Sequence, residues 1–196
     1  MSIADQTPPI ELISSEAKYR AFVDWLHENK QHYVPLIDAA IGMPDAKDPK
    51  DSYEVYTNGH KQDVFLKHPG GPEFIGQVWP GYAFCFTDRI QLMIRPTVFP
   101  DWSAPNVTQW WKDSFDEYRK IAKYDGVWLD MNEPANFNTT DDENLSGTKY
   151  EANLLNEPPY EIHNGEGKLG WRTMWPDVKR ADGARHYNVH NMYGYE

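Results

Sequence analysis

The chain has 196 residues, of which 40% are apolar, and it contains 15 prolines and 13 glycines. This length supports one sizeable core, and the proline and glycine content indicates many loops. The formal net charge of −11 argues against nucleic acid and anionic membranes as partners. No apolar run reaches transmembrane length, and a lone cysteine, Cys85, excludes an internal disulfide.

The N-terminal part predicts a polar lead-in followed by a helix. Residues 1–14 lack the basic and apolar regions of a signal peptide, so none is predicted in this chain. Ser15 is a candidate N-cap for a helix that continues to about Asn29. The spacing of its apolar residues predicts one buried face, made of Tyr19, Phe22, Val23 and Leu26.

Residues 32–41 predict a strand that runs into a loop, although Pro35 is unusual inside a central strand. Asp38, near the end of this strand, is either a site carboxylate or a loop cap, and we favour a structural role. A long excursion from Gly42 to about Pro105 follows, with no regular structure predicted. Loops of this length are usually functional.

A second helix is predicted from about Ala104 to Ala122, with Ser103 as its N-cap. Apolar residues at helical spacing predict its buried face, which we interpret as core, and these are Val107, Trp111, Phe115 and Tyr118. The helix leads to a short strand, Gly126 to Met131, that ends before Pro134.

This strand carries the most informative carboxylate of the chain, Asp130. Side chains alternate along a strand, so Trp128 and Asp130 share one face and Val127 and Leu129 share the other, which we expect to be buried under helices. A carboxylate beside an indole suits sugar chemistry, because it can attack or stabilise an oxocarbenium-like carbon. The alternative is an aspartate that only caps the following turn.

Residues 128–137, Trp-Leu-Asp-Met-Asn-Glu-Pro-Ala-Asn-Phe, closely resemble the nucleophile signature of the glycoside hydrolase family 31 α-glucosidases. Val-Trp-Pro-Gly at 78–81 and the segments at 155–160 and 186–194 resemble the same family. The resemblance implies an α/β fold: a partial (β/α)8 TIM barrel with about two to three strands, their helices and a long βα loop. Residues 15–196 would then be a fragment of the catalytic barrel.

One segment departs from the family pattern. The family continues directly from Gly-Tyr-Ala to Phe-Pro-Asp-Trp, whereas this chain has additional residues at 85–97 before Phe99. This atypical insertion is either a genuine surface insertion or a translated intron, and both explanations remain open.

The resemblance also implies a function, that of a retaining α-glucosidase acting on maltose- or starch-type oligosaccharides without a cofactor. Asp130 matches the nucleophile, and Glu133 would lie just behind it. The residues matching the glucose pocket are Ile41, Trp79, Trp128 and Met131, although Trp79 could instead be a loop-core aromatic. The family's acid/base lies downstream of the matched segments, so we expect no activity from the chain alone. The alternatives are a catalytically dead carbohydrate-binding remnant and a mis-predicted gene product.

Two further patterns concern metal binding and covalent modification. His186 and His190 could share a helical face, but no third ligand is persuasive, so no metal site is predicted. Sequons occur at Asn106, Asn138 and Asn144, and the last two suit a glycosylated loop. The family resemblance implies a secreted or lysosomal/vacuolar protein.

Overall fold

The computed structural model describes residues 16–47, 50–78, 96–136, 154–156, 159 and 174–189. The chain divides into two compact units, the first made of Met1–Ile37 and Trp111–Asp130 and the second of Asp38–Trp110 and Met131–Glu196. The elements in chain order are α1 (Glu16–Glu28), β1 (Leu36–Asp38), β2 (Ile41–Gly42), α2 (Glu54–Gln62), β3 (Thr97–Val98), α3 (Val107–Ile121), β4 (Trp128–Asp130) and α4 (His186–Val189).

The first unit is built around the pairing of β1 with β4. The N–H of Asp125 donates to Tyr33 O and the N–H of Trp128 to Pro35 O, both at 2.9 Å. Because the donors and acceptors advance in the same direction along the chain, the two segments run parallel. These are barrel-type strands, as the α/β fold class requires, and strand β1 begins directly after Pro35.

Helix α1 follows the predicted pattern. It starts one residue after Ser15, and Val23 on its apolar face is fully buried. The ring of Tyr33 packs edge-on against Tyr19 at 5.3 Å and against Phe22 at 6.3 Å between centroids. Burial raises the pKa of the Tyr19 phenol above its usual range. Aromatic packing therefore holds α1 against the segment that leads into β1.

The second unit contains an apolar core formed by Ala40, by residues of the excursion and by residues of the C-terminal segment. The residues of this core are Ala40, Leu66, Phe74, Val78, Phe99, Met174, Trp175 and Val178. Strands β2 and β3 pair antiparallel, with Ile41 opposite Val98. The predicted long loop is therefore a packed body, at least in its described residues.

Helix α2 corrects the expectation that the excursion lacks regular structure. Its sequence contains Asn58 and Gly59, which disfavour a helix interior. The helix forms because its glycine allows close packing: a β-carbon on Gly59 would collide with the Phe65 ring and lie 3.0 Å from Trp110 Nε1. Tertiary contact thus overrides local propensity.

Three other expectations about local structure are wrong. Ser103 does not cap α3, which begins at Val107, because the Ser103 hydroxyl donates to Asp101 Oδ1 at 2.6 Å. Strand β4 is shorter than the predicted Gly126–Met131 segment. Leu129 is not buried under helices, since 47% of it is exposed.

The buried face of α3 is as predicted, with one addition. Val107 is buried and Trp111, Phe115 and Tyr118 are partly buried. Trp110, which the pattern did not single out, is buried, and its indole donates to Val55 O at 3.0 Å.

Among the described residues, no helix has the length and apolar character needed to cross a membrane.

Candidate active site

Strand β4 contains Trp128 and Asp130, the two residues predicted to share one face of this strand. Residues two apart on a strand project to the same side. Asp130 is partly buried, whereas 60% of Trp128 is exposed. A carboxylate at the carboxyl end of a parallel strand lies where barrel enzymes carry out their chemistry. An aromatic face on the same side can shield a sugar from water.

The start of this strand is anchored by Asp125. Its carboxylate accepts hydrogen bonds from the Tyr33 N–H at 2.8 Å and from His27 Nε2 at 2.9 Å, and His32 Nδ1 lies 3.8 Å away. The Tyr33 N–H, followed by His27, holds the pKa of the Asp125 carboxyl below its usual range. Asp125 therefore fixes the approach to β4 while it is ionised.

The turn Met131–Asn136 follows Asp130 directly, and it begins with an unusual backbone conformation. Met131 has φ 57°, in the left-handed region, which costs an L-residue about 1–2 kcal/mol. Such a conformation persists where surrounding contacts hold it. The Met131 side chain packs against the core of the second unit, and Ala135 N–H donates to Met131 O at 3.3 Å.

Two hydrogen bonds join this turn to other segments. The indole Nε1 of Trp102 donates to Asn132 O at 2.9 Å. Asn136, which is fully buried, accepts the Gln77 N–H on Oδ1 at 3.0 Å. Sequence reasoning missed both residues in these roles. Their only signal was that Trp102 and Asn136 lie inside segments that carry the family resemblance.

The predicted site residues fall into both units. Asp130 and Trp128 belong to the first unit, and Met131, Glu133 and Ile41 belong to the second. Glu133 is exposed and Met131 partly buried. Ile41 is only 5% exposed, so it has little surface to offer a sugar. Trp79 lies outside the described residues.

The remaining candidates have local partners or lie outside the description. Asp38 Oδ1 accepts the Ala40 N–H at 3.0 Å, the contact of a carboxylate that caps its own turn. His186 is buried, while His190 is not among the described residues. In the described ranges no three histidine, cysteine or acidic side chains are grouped as a metal site would require.

Comparison with protein families gives a match to the family described as the glycosyl hydrolases family 31 TIM-barrel domain, over residues 14–196. Among curated relatives, an alpha-glucosidase of Hordeum vulgare is 34% identical over 181 residues, covering 91% of this chain and 17% of its own length. The lysosomal alpha-glucosidase of Rattus norvegicus is 32% identical over 180 residues, covering 91% of the chain and 16% of its own length.

A yeast relative and a solved structure extend the comparison. Glucoamylase 1 of Candida albicans is 30% identical over 239 residues, covering 90% of this chain, which spans 24% of that protein. A crystal structure of glucosidase II alpha subunit superposes with a TM-score of 0.57 at 22% identity, over 89% of this chain and 14% of the other. The chain thus spans about a quarter or less of each of these relatives.

Proposed function

Because the chain belongs to the glycosyl hydrolases family 31 TIM-barrel domain, we propose that it is part of the catalytic domain of a retaining α-glucosidase. The substrate class is an oligosaccharide with terminal α-linked glucose, of the maltose or starch type. The observation that carries the proposal is the position of Asp130, a partly buried carboxylate at the carboxyl end of a parallel strand. The names of relatives that are 30–34% identical support the same substrate class.

In this mechanism Asp130 is the nucleophile. A carboxylate oxygen attacks the anomeric carbon while the bond from that carbon to the leaving oxygen breaks, which gives a glycosyl ester. The leaving oxygen takes a proton from a second carboxyl group, which by the family resemblance lies outside the matched segments of this chain. Water then attacks the same carbon, gives up a proton to that group and releases Asp130, so two inversions produce net retention.

The other site residues have supporting roles in the proposal. Trp128 offers an exposed indole face on the side of the strand that carries Asp130, and stacking on a sugar suits that exposure. By the family resemblance, Met131, Trp79 and Ile41 match residues of the glucose pocket, and Glu133 would lie just behind the nucleophile. Ile41 has the weakest support of these residues because it is almost fully buried.

We propose a secreted or lysosomal/vacuolar setting, and the name of one relative, a lysosomal alpha-glucosidase, supports the lysosomal alternative. Of the three sequons, only Asn106 is described, and its side-chain amide donates to Gln62 O at 3.2 Å. Because a glycan would be attached to that amide nitrogen, Asn106 is the weakest glycosylation candidate of the three. Asn138 and Asn144 lie outside the described residues.

The direct test is to replace Asp130 by Asn in a full-length protein that carries this chain and to measure glucose release from maltose. We expect nearly complete loss of turnover with unchanged folding, because an amide cannot form the glycosyl ester. The control is Asp116→Asn, which changes an exposed carboxylate that lies 3.7 Å from Lys112 on helix α3.

The control should retain full activity. If both variants keep wild-type turnover, Asp130 is not the nucleophile. If the wild-type protein binds maltose but releases no glucose, the alternative of a carbohydrate-binding remnant is favoured instead.

A further inference from the structure

The turn Met131–Asn136 is hydrogen-bonded to two separate segments of the second unit, through Asn132 O and through the Asn136 side chain. We propose that Trp102 and Asn136 are positioning residues that hold this turn and, through the peptide bond from Asp130 to Met131, fix the direction of the Asp130 carboxylate. This inference rests on the proposed function, because it gives a role in catalysis to residues that touch no substrate.

The first hydrogen bond, from Trp102 Nε1 to Asn132 O, is donated by a residue in a rigid segment. Asp101, which is 2% exposed, accepts the Ser103 N–H at 2.9 Å and the Ser103 hydroxyl at 2.6 Å on one carboxylate oxygen. Its other oxygen accepts the Ala181 N–H, and its own N–H donates to Val64 O at 2.8 Å. Trp102 is therefore flanked by residues with fixed backbones, and its indole can hold Asn132 O in one place.

The second hydrogen bond, from the Gln77 N–H to Asn136 Oδ1, is also donated by a constrained segment. The neighbouring Gly76 exchanges two backbone hydrogen bonds with Thr97, at 2.8 and 2.9 Å. A β-carbon on Gly76 would collide with the Asn136 Oδ1 atom, so only glycine leaves room for this amide. The Asn136 side chain is thus seated against a fixed strand-like segment.

Both hydrogen bonds are needed to keep the turn in place because the turn contains a strained residue. Met131 holds a left-handed backbone, and a turn anchored at one end only could relax that conformation. Relaxation would rotate the peptide next to Asp130 and redirect its carboxylate. Displacement of a reacting group by about 1 Å can cost about 100-fold in rate.

A simpler reading is that the Trp102 indole only satisfies its own hydrogen-bonding need. The chain offers a matched control for this reading, because Trp110 donates an equivalent indole bond to Val55 O at 3.0 Å, in helix α2. Trp102→Phe and Trp110→Phe remove the same N–H from two places in the same unit. Only the first acceptor lies in the turn after Asp130.

The experiment uses a full-length protein that carries this chain and a 5-fluoro-α-glucosyl fluoride, which reacts covalently with the nucleophile of retaining enzymes. Each variant is characterised by its reagent-binding constant, the rate constant of the covalent step, and the fraction of protein that becomes labelled. Peptide mapping of the wild type first establishes which residue is labelled. A label elsewhere than Asp130 contradicts the proposed function itself and is distinguishable from the outcomes below.

With the wild-type label on Asp130, we expect Trp102→Phe to slow the covalent step about 10- to 100-fold with little change in reagent binding. Trp110→Phe should lower the labelled fraction by destabilising the fold, while the folded molecules react within about twofold of the wild-type rate. Equal covalent rates in the two variants would overturn the inference for Trp102.

A second pair of variants tests Asn136 in case Trp102→Phe does not fold. Asn136→Ala removes the acceptor for the Gln77 N–H, whereas Asn136→Asp keeps an oxygen in that position. We expect the covalent step to be slow in the alanine variant and largely restored in the aspartate variant. Wild-type rates in both variants, or equally slow rates in both, would contradict a role for this hydrogen bond.

Discussion

The two units of the chain differ in how far their apolar side chains are buried. In the second unit, Leu66, Phe74 and Phe99 are almost completely buried in a shared core. In the first unit, Leu36, Trp128 and Leu129 on the paired strands are about half exposed or more. Parallel sheets are normally covered on both faces. The excursion is thus held in a core that it shares with the C-terminal segment, whereas the barrel strands need cover that the described residues do not provide.

The largest expected effect of this difference is the behaviour of the 196-residue chain expressed by itself. We expect it to associate or bind hydrophobic dyes through the first unit, because apolar side chains on its paired strands are exposed. We also expect no glucose release from maltose, since positioned acid catalysis is typically worth about 10²–10⁴ in rate. The measurements are light scattering, dye fluorescence and a glucose assay.

A monodisperse chain with a sharp cooperative thermal transition and measurable glucose release would contradict both expectations. As a control, Leu36→Gln and Leu129→Gln should reduce dye binding. The same substitution at a buried position, Leu66→Gln, should increase dye binding. The two sets of variants therefore distinguish the exposed strands from the core.

The second expectation concerns truncation of one apolar side chain in each unit. Phe99→Ala should lower the free energy of unfolding of the second unit by about 3–5 kcal/mol, because it leaves a cavity in a packed core. Leu129→Ala should change the free energy of unfolding of the first unit by no more than about 0.5 kcal/mol, because this leucine is half exposed. Hydrogen exchange of the Leu66 amide, which donates to Phe99 O at 2.9 Å, reports the first effect.

Comparable losses in the two variants would mean that Leu129 is covered in solution. That result would remove the contrast between the two units and would favour a first unit that folds by itself.

The smallest expected effect is a difference in the acid response of the units. His68 in the second unit is buried against the Phe74 and Trp175 rings, and burial lowers the pKa of its imidazole, while Asp177 opposes this shift. Its neutral form is favoured in the fold. Stability is therefore complete above the unfolded histidine pKa of about 6.5 and falls as the pH decreases through the folded pKa.

Asp125 in the first unit responds at lower pH. Its pKa is lowered, so its contribution is present above the unfolded aspartate pKa of about 3.9 and is lost as the pH falls through the folded value. Hydrogen exchange at pH 7, 5 and 3 should thus show the second unit loosening first. His68→Phe should remove the change between pH 7 and 5, and an unchanged profile in that variant would assign the acid response to other groups.

The sequence predicted those elements whose signals are local. Helices α1 and α3 follow from apolar spacing within one segment, and the α/β barrel class follows from the family resemblance of short motifs. Helix α2 could not be predicted in this way, because Gly59 disfavours a helix and is accommodated by packing against Phe65. The Ser103 cap was wrong because the neighbouring Asp101 accepts its hydroxyl.

The site was predictable only in part for the same reason. Asp130 and Trp128 are proposed as site residues from one short motif. The contacts that hold the following turn join residues 30 apart, Trp102 and Asn132, and 59 apart, Gln77 and Asn136. No periodicity or motif connects such positions, so their roles appear only when the chain is folded.

The central claim is that Asp130 forms the covalent glycosyl intermediate, and peptide mapping after labelling tests it most directly. A full-length protein that carries this chain would be treated with a cyclitol epoxide or a fluoroglycoside, digested and analysed by mass spectrometry. The expected result is a single label on Asp130, absent from the Asp130→Asn variant. A label on Asp38 or Glu133 instead, or an active enzyme that carries no label, would contradict the claim.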